Sequence, residues 1–158
     1  MSDIAFRRAG RGDEALILKF ICALADYEHM SGEVCATPEL LAEQLFDKGA
    51  ASVVFALCDG VEAGFALYFH NFSTFLGRAG IYLEDLFVFP EYRGRGLGLG
   101  LIKYLARECV RLGCGRLEWS CLDWNRPSID FYLSLGAVPQ SEWTAYRLTG
   151  DTLKKLGE

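Results

Sequence analysis

The segment Leu83-Glu84-Asp85-Leu86-Phe87-Val88-Phe89-Pro90-Glu91-Tyr92-Arg93-Gly94-Arg95-Gly96-Leu97-Gly98 constrains the fold of this chain more than any other. Its first half is a β-rich run closed by Pro90; over 98–112 the apolar residues recur at helical spacing, until Gly113. Between the two lies a loop with glycine at 94, 96 and 98. Such a loop lets successive backbone N–H groups turn inward with no Cβ in the way, and the helix behind it adds the positive end of its dipole. Strand, glycine loop and helix in that order suit a phosphate or pyrophosphate, and Arg93 and Arg95 add charge. Two familiar signatures fail. G-x-G-x-x-G would need its last glycine where Leu99, Leu101 or Lys103 stands, and Lys103 lies between Ile102 and Tyr104 rather than in a Gly-Lys-Ser/Thr run.

The rest of the chain reads as a frame for that unit. Ile4-Ala5-Phe6-Arg7-Arg8 is a strand, and Asp13 is placed to cap a helix whose apolar residues, Leu16, Ile17, Phe20, Ile21 and Leu24, share one face. Thr37-Pro38 opens a second helix that Gly49 stops. Two β-rich runs, over 52–58 and 61–72, flank Asp59-Gly60, a two-residue hairpin signal. Strands are expected again over 79–89, 115–122 and 143–149, with a short helix from Arg126-Pro127-Ser128 through Leu135. The order β-α-α-β-β-β-α-β-α-β predicts a mixed α/β sheet in one domain spanning residues 1–158, a length that buries a core without metals or disulfides.

Charge and composition narrow the partners. A net charge of −5 disfavours a ligand held through a nucleic-acid backbone, so no nucleic acid is expected. No apolar run reaches the roughly 18 residues of a membrane span, and residues 1–8 lack the basic and apolar regions of a secretory signal. A cytoplasmic protein without a membrane partner is the expectation. The six cysteines form no C-x-x-C pair and the two histidines, His29 and His70, lie far apart, so no metal site is expected.

The loop Arg93-Gly94-Arg95-Gly96-Leu97-Gly98 resembles the acyl-CoA loop, Arg/Gln-x-x-Gly-x-Gly/Ala, of the GNAT-superfamily N-acetyltransferases. Within that superfamily Ala25-Asp26-Tyr27-Glu28, the stretch from Tyr82 to Val88, and Trp124-Asn125-Arg126-Pro127-Ser128-Ile129-Asp130-Phe131-Tyr132 are similar to the diamine (spermidine/spermine) acetyltransferase family. The resemblance implies a mixed, mostly antiparallel twisted sheet flanked by helices, splayed between its fourth and fifth strands. It implies acetyl-CoA as co-substrate and no metal, with the backbone of Leu86, Phe87 and Val88 pairing with the pantetheine arm. Arg93, Gly94, Arg95, Gly96, Leu97, Gly98 and Leu99 would hold the pyrophosphate, with Asn125, Arg126, Pro127 and Ser128 beside the cofactor. Tyr132 would protonate the departing thiolate. Tyr27, Glu28, Glu84, Asp85, Glu118, Trp119 and Ser120 would line the cleft for a small cationic amine, and the protein would be a homodimer.

Elementary acid–base chemistry runs the same way. A primary amine, with a pKa near 10.4, is protonated at neutral pH, so attack on a thioester needs a carboxylate or an ordered water to take a proton. Glu84, on the strand entering the cofactor loop, is the candidate base. A thiolate leaves at a pKa of about 8.5, and a phenol near 10 can protonate it at little cost. The expected reaction is direct acetyl transfer in a ternary complex to a polyamine, a diamine or a lysine analogue such as thialysine. Acetylation of protein or peptide amines, and acyl-CoA binding without catalysis, remain open.

Overall fold

In a computed structural model describing residues 2–158, the sheet is built from β1 (Ile4–Arg8), β2 (Ser52–Cys58), β3 (Val61–Ser73), β4 (Arg78–Val88) and β5 (Leu117–Trp119) in spatial order β1-β2-β3-β4-β5. The first four strands are antiparallel, and β5 alone joins in parallel. The hairpin at Asp59-Gly60 takes left-handed φ values of 51° and 84°, as a two-residue turn matching the strand twist requires. The described residues divide into two compact units, one ending at Ser120 and the other Cys121–Glu158.

In the first unit both faces of the sheet are covered. β2 is buried at four consecutive positions, Val53 to Ala56, because helices lie above and below it. On one side α1 (Glu14–Tyr27) and the short α2 (Pro38–Leu41) pack Ile17, Phe20 and Leu41 onto Val53, Phe55, Phe65 and Phe87. On the other, α3 (Leu97–Leu112) buries Leu97, Leu101, Ile102, Leu105 and Cys109, and Leu101 reaches Gly64 of β3, where an added Cβ would be crowded by Val88 and the Phe87 carbonyl at 3.1 and 3.2 Å. Asp13 stands at the start of α1 but does not cap it. Its carboxylate accepts two hydrogen bonds from the Arg7 guanidinium, at 2.9 and 3.0 Å, and one from the Gly10 N–H. The Thr37 hydroxyl does cap α2, accepting from the Leu40 N–H, and the helix runs on as a π-helical turn, Ala42–Asp47.

The second unit holds α4 (Arg126–Ser134) and α5 (Gly150–Leu156). The strand expected over 143–149 does not form. Trp143 and Tyr146 are 81% and 94% exposed, and no sheet ladder includes this segment among the described residues. Alternating apolar residues hold a strand only when a neighbouring strand takes their backbone groups. The helix α5, unread in the sequence, carries Asp151 in its first turn and Lys154 and Lys155 in its last, which complement the helix dipole.

Candidate active site

The site is built where β4 outruns β5. The parallel pairing covers only Ile81, Tyr82 and Leu83, opposite Leu117, Glu118 and Trp119. Beyond it β4 continues to Val88 beside β3 alone, so the stretch 84–88 has no strand along its outer edge, and at its end the Val88 carbonyl accepts from the Arg93 side chain. An extended ligand carrying amide groups can add to such an edge as a further strand. The pairing with β3 also breaks register here. Leu67 lies opposite Asp85 and Tyr68 opposite Leu83, which leaves Glu84 as the extra residue of a β-bulge. Bulges of this kind re-aim side chains beside functional sites.

Directly after β4 the chain makes one 3₁₀ turn, Pro90–Tyr92, and enters the glycine loop. Gly94 and Gly96 adopt φ of 77° and 85°, left-handed values that side chains resist. Gly96 stands at the N-cap of α3, which has no side-chain cap and no acidic residue in its first turn. By contrast, α4 is capped by Asn125, whose side chain accepts from the Ser128 N–H at 3.4 Å. Sixteen residues of helix therefore direct an uncapped positive end at the loop. Gly98 is helical, and a Cβ there would meet nothing within 4 Å. Neither backbone angle nor crowding within the chain requires glycine at 98, and its bare backbone leaves room for a ligand to approach closely. Gly100 has the opposite explanation, since its Cβ would come within 2.6 Å of Phe6 Cζ. The loop, the uncapped helix and the open edge suit a molecule with a pyrophosphate and an amide-bearing arm, the chemistry of acyl-CoA.

Acidic groups gather on the α1 side of β4. Residue His29, at φ 60°, ends α1 abruptly, and the Met30 N–H turns back to the Ala25 carbonyl at 2.7 Å. That termination places Tyr27 and Glu28 in the final turn and its cap, beside β4, with Tyr27 and Phe87 ring centroids 6.4 Å apart. Burial raises the pKa of Asp85 to about 6, and the charges of Glu84 and Glu28 push the same way. Glu28 is raised too, by burial. Glu84 is exposed.

The two arginines of the loop have partners on neighbouring elements. Arg93 Nε–H donates to the Val88 carbonyl at 3.0 Å, and its guanidinium carbon lies 5.1 Å from the Tyr27 ring centroid and 5.3 Å from that of Phe87. Arg95 stacks over Tyr92 and reaches the Cys58 thiol at 3.7 Å. On β5, Glu118 accepts a hydrogen bond from Asn71 at 3.3 Å and Trp119 pairs opposite Leu83; just after it, Ser120 Oγ lies 2.6 Å from the Tyr82 hydroxyl. In the second unit Asn125, Arg126, Pro127 and Ser128 form the start of α4, and Tyr132 stands in its later part with its ring centroid 5.5 Å from that of Phe131. Geometry thus unites Tyr27, Phe87 and Arg93, and groups Asp85 with Glu28 and Glu84. The stacking of Arg93 and the burial of Asp85 escape sequence reading, because both depend on long-range packing.

A profile of the acetyltransferase (GNAT) family matches residues 20–137. The chain belongs to this family. It is 35% identical to thialysine N-epsilon-acetyltransferase of Bos taurus over 99% of this chain and 98% of that protein. It is 29% identical to a spermidine/spermine N(1)-acetyltransferase-like protein of Homo sapiens, over 97% of this chain and 24% of that longer protein. Among solved structures, an integron cassette protein from the mobile metagenome of V. cholerae superposes with a TM-score of 0.81 at 29% identity, covering 98% of both chains. The mixed α/β fold with a five-stranded, mostly antiparallel sheet is that of the family, as the glycine loop implied, and the chain is an acetyltransferase.

Proposed function

We propose that this acetyltransferase transfers the acetyl group of acetyl-CoA to a primary amine at the end of a short, flexible, cationic chain, with thialysine, diamines and polyamines as the acceptor class. The observation that carries the acceptor side is the group Glu28, Glu84 and Asp85 at the β4 bulge, with Asp85 held near pKa 6. Acetyl-CoA, when bound, supplies a thioester whose carbonyl carbon the amine attacks. Three carboxylates attract a protonated amine; we assign the role of base, expected of Glu84, to its neighbour Asp85, because a base near pKa 6 accepts a proton less steeply uphill than an ordinary carboxylate. Glu84, displaced by the bulge, shares in binding the cation. The open edge from Glu84 to Val88 and the uncapped start of α3 hold the pantetheine arm and the pyrophosphate. Tyr132, on α4, supplies the proton for the departing thiolate; the likeness of residues 124–132 to the diamine acetyltransferases supports that role. Transfer is direct, in a ternary complex.

The family match runs from 20 to 137, and on that basis we read residues 1–158 as one catalytic domain. We also place it in the cytoplasm, a reducing compartment that suits six free thiols, and read it as a homodimer, for which the exposed Val138, Trp143 and Tyr146 offer apolar surface. Light scattering tests the dimer, and a monomer at micromolar concentration would refute it. The acceptor is tested by thiol release on a panel of thialysine, lysine, ornithine, putrescine, spermidine and a basic peptide. Turnover confined to the peptide would overturn the small-amine reading.

A further inference from the structure

The side chain of Arg93 reaches from the glycine loop to the acceptor side of β4. Its Nε–H is anchored to the Val88 carbonyl, at the end of the open edge, and its guanidinium stands within 5.1 and 5.3 Å of the Tyr27 and Phe87 ring centroids. These partners come from the end of α1 and from β4, while the Arg93 backbone opens the loop ahead of Gly94. One planar cation therefore meets the last turn of α1, the edge strand and the cofactor loop together. No acidic side chain pairs with Arg93 among the described residues, where two aromatic rings and a carbonyl surround its guanidinium instead. Arginine suits such a place: its flat guanidinium stacks on aromatic faces while its N–H groups bond in plane, which a lysine ammonium does not reproduce.

We infer that Arg93 is a positioning residue that couples the two halves of the site, holding Tyr27 and the start of the glycine loop in one arrangement so that the Tyr27 ring supports acetyl-CoA binding. This rests on the functional reading above for the identity of the acceptor side, but the coupling can be read from acetyl-CoA alone. Tyr27 lies on another element but also packs on Phe87 of the open edge, so a loss on its truncation is assigned to Arg93 only where it fails to multiply in the double variant.

Calorimetric titration of acetyl-CoA into the parent, Tyr27→Phe, Tyr27→Leu, Arg93→Lys and the Tyr27→Leu/Arg93→Lys double variant tests this, well below each thermal midpoint. Removing the Tyr27 ring should weaken acetyl-CoA binding about 3–10-fold, and Tyr27→Phe, which keeps the ring, should restore it. Arg93→Lys should weaken binding at least as much, and the double variant should bind no more than about twofold weaker than Arg93→Lys alone. Parent-like affinity in Tyr27→Leu, or losses that multiply in the double variant, would overturn the coupling. A parent that binds acetyl-CoA yet acetylates no amine would overturn the acceptor reading instead, and the titrations would still decide the role of Arg93.

Discussion

Replacing Asp85 by asparagine should stabilise the protein at neutral pH while disabling it. Asp85 is held at about pKa 6, against the usual 3.8, by burial and by the charges of Glu84 and Glu28. The folded state therefore keeps this proton at pH values where the unfolded chain has lost it. Stability from this group is complete below the unfolded value and is lost as pH rises from about 4 through about 6. The whole shift corresponds to roughly 3 kcal/mol at neutral pH, since each pKa unit is about 1.4 kcal/mol. Asparagine has nearly the same shape and never ionises, so Asp85→Asn should match the parent near pH 4 and exceed it above pH 7. In a chain of this length that difference raises the midpoint of thermal unfolding by roughly 6–12 °C. Thermal unfolding of both proteins between pH 4 and 8 measures it, and the other carboxylates largely cancel in the comparison. Turnover should fall meanwhile, because the raised pKa is what the site would lose. Equal midpoints at all pH values, or an Asp85→Asn protein less stable at pH 7.5, would refute the reasoning.

The glycine pair 98 and 100 should separate function from folding. Gly98→Ala places its methyl in open space, so acetyl-CoA affinity should drop about 10–100-fold by calorimetry with the thermal midpoint unchanged or slightly raised. Gly100→Ala drives a methyl to 2.6 Å from the Phe6 ring and should destabilise by about 1–3 kcal/mol in urea unfolding with acetyl-CoA affinity intact. Tyr132→Phe should hold acetyl-CoA affinity while kcat falls about 10²–10⁴-fold in steady-state assays, and parent-level turnover would remove Tyr132 from the mechanism.

How much of this was legible beforehand follows the range of the interactions. The hairpin at Asp59-Gly60, the glycine loop, α3 with its stop at Gly113, and the start of α4 at Asn125-Arg126-Pro127 are written in neighbouring residues, and all appear in the structure. Asp13 looked like a cap because position and residue type agreed, but the competing Arg7 arrives from β1 and takes its carboxylate. The run 143–149 alternates like a strand, yet alternation cannot supply the neighbouring edge a strand needs, and it stays irregular. Within the site the pair Glu84-Asp85 was visible, but its division of labour was not. A bulge opposite Leu67 and Tyr68 leaves Glu84 exposed and Asp85 half-buried, and neither the bulge nor the approach of Glu28 has a local signature.

The central claim, direct transfer of an acetyl group from acetyl-CoA to a small primary amine, is tested most directly in a single turnover with isotope-labelled acetyl-CoA and excess protein, with thialysine or spermidine present or absent. Mass spectrometry then follows the label. The account predicts that the label passes to the amine as free thiol appears, and that without amine the protein gains no acetyl group. Label retained on the protein, or thiol released with no acetylated amine, would contradict it.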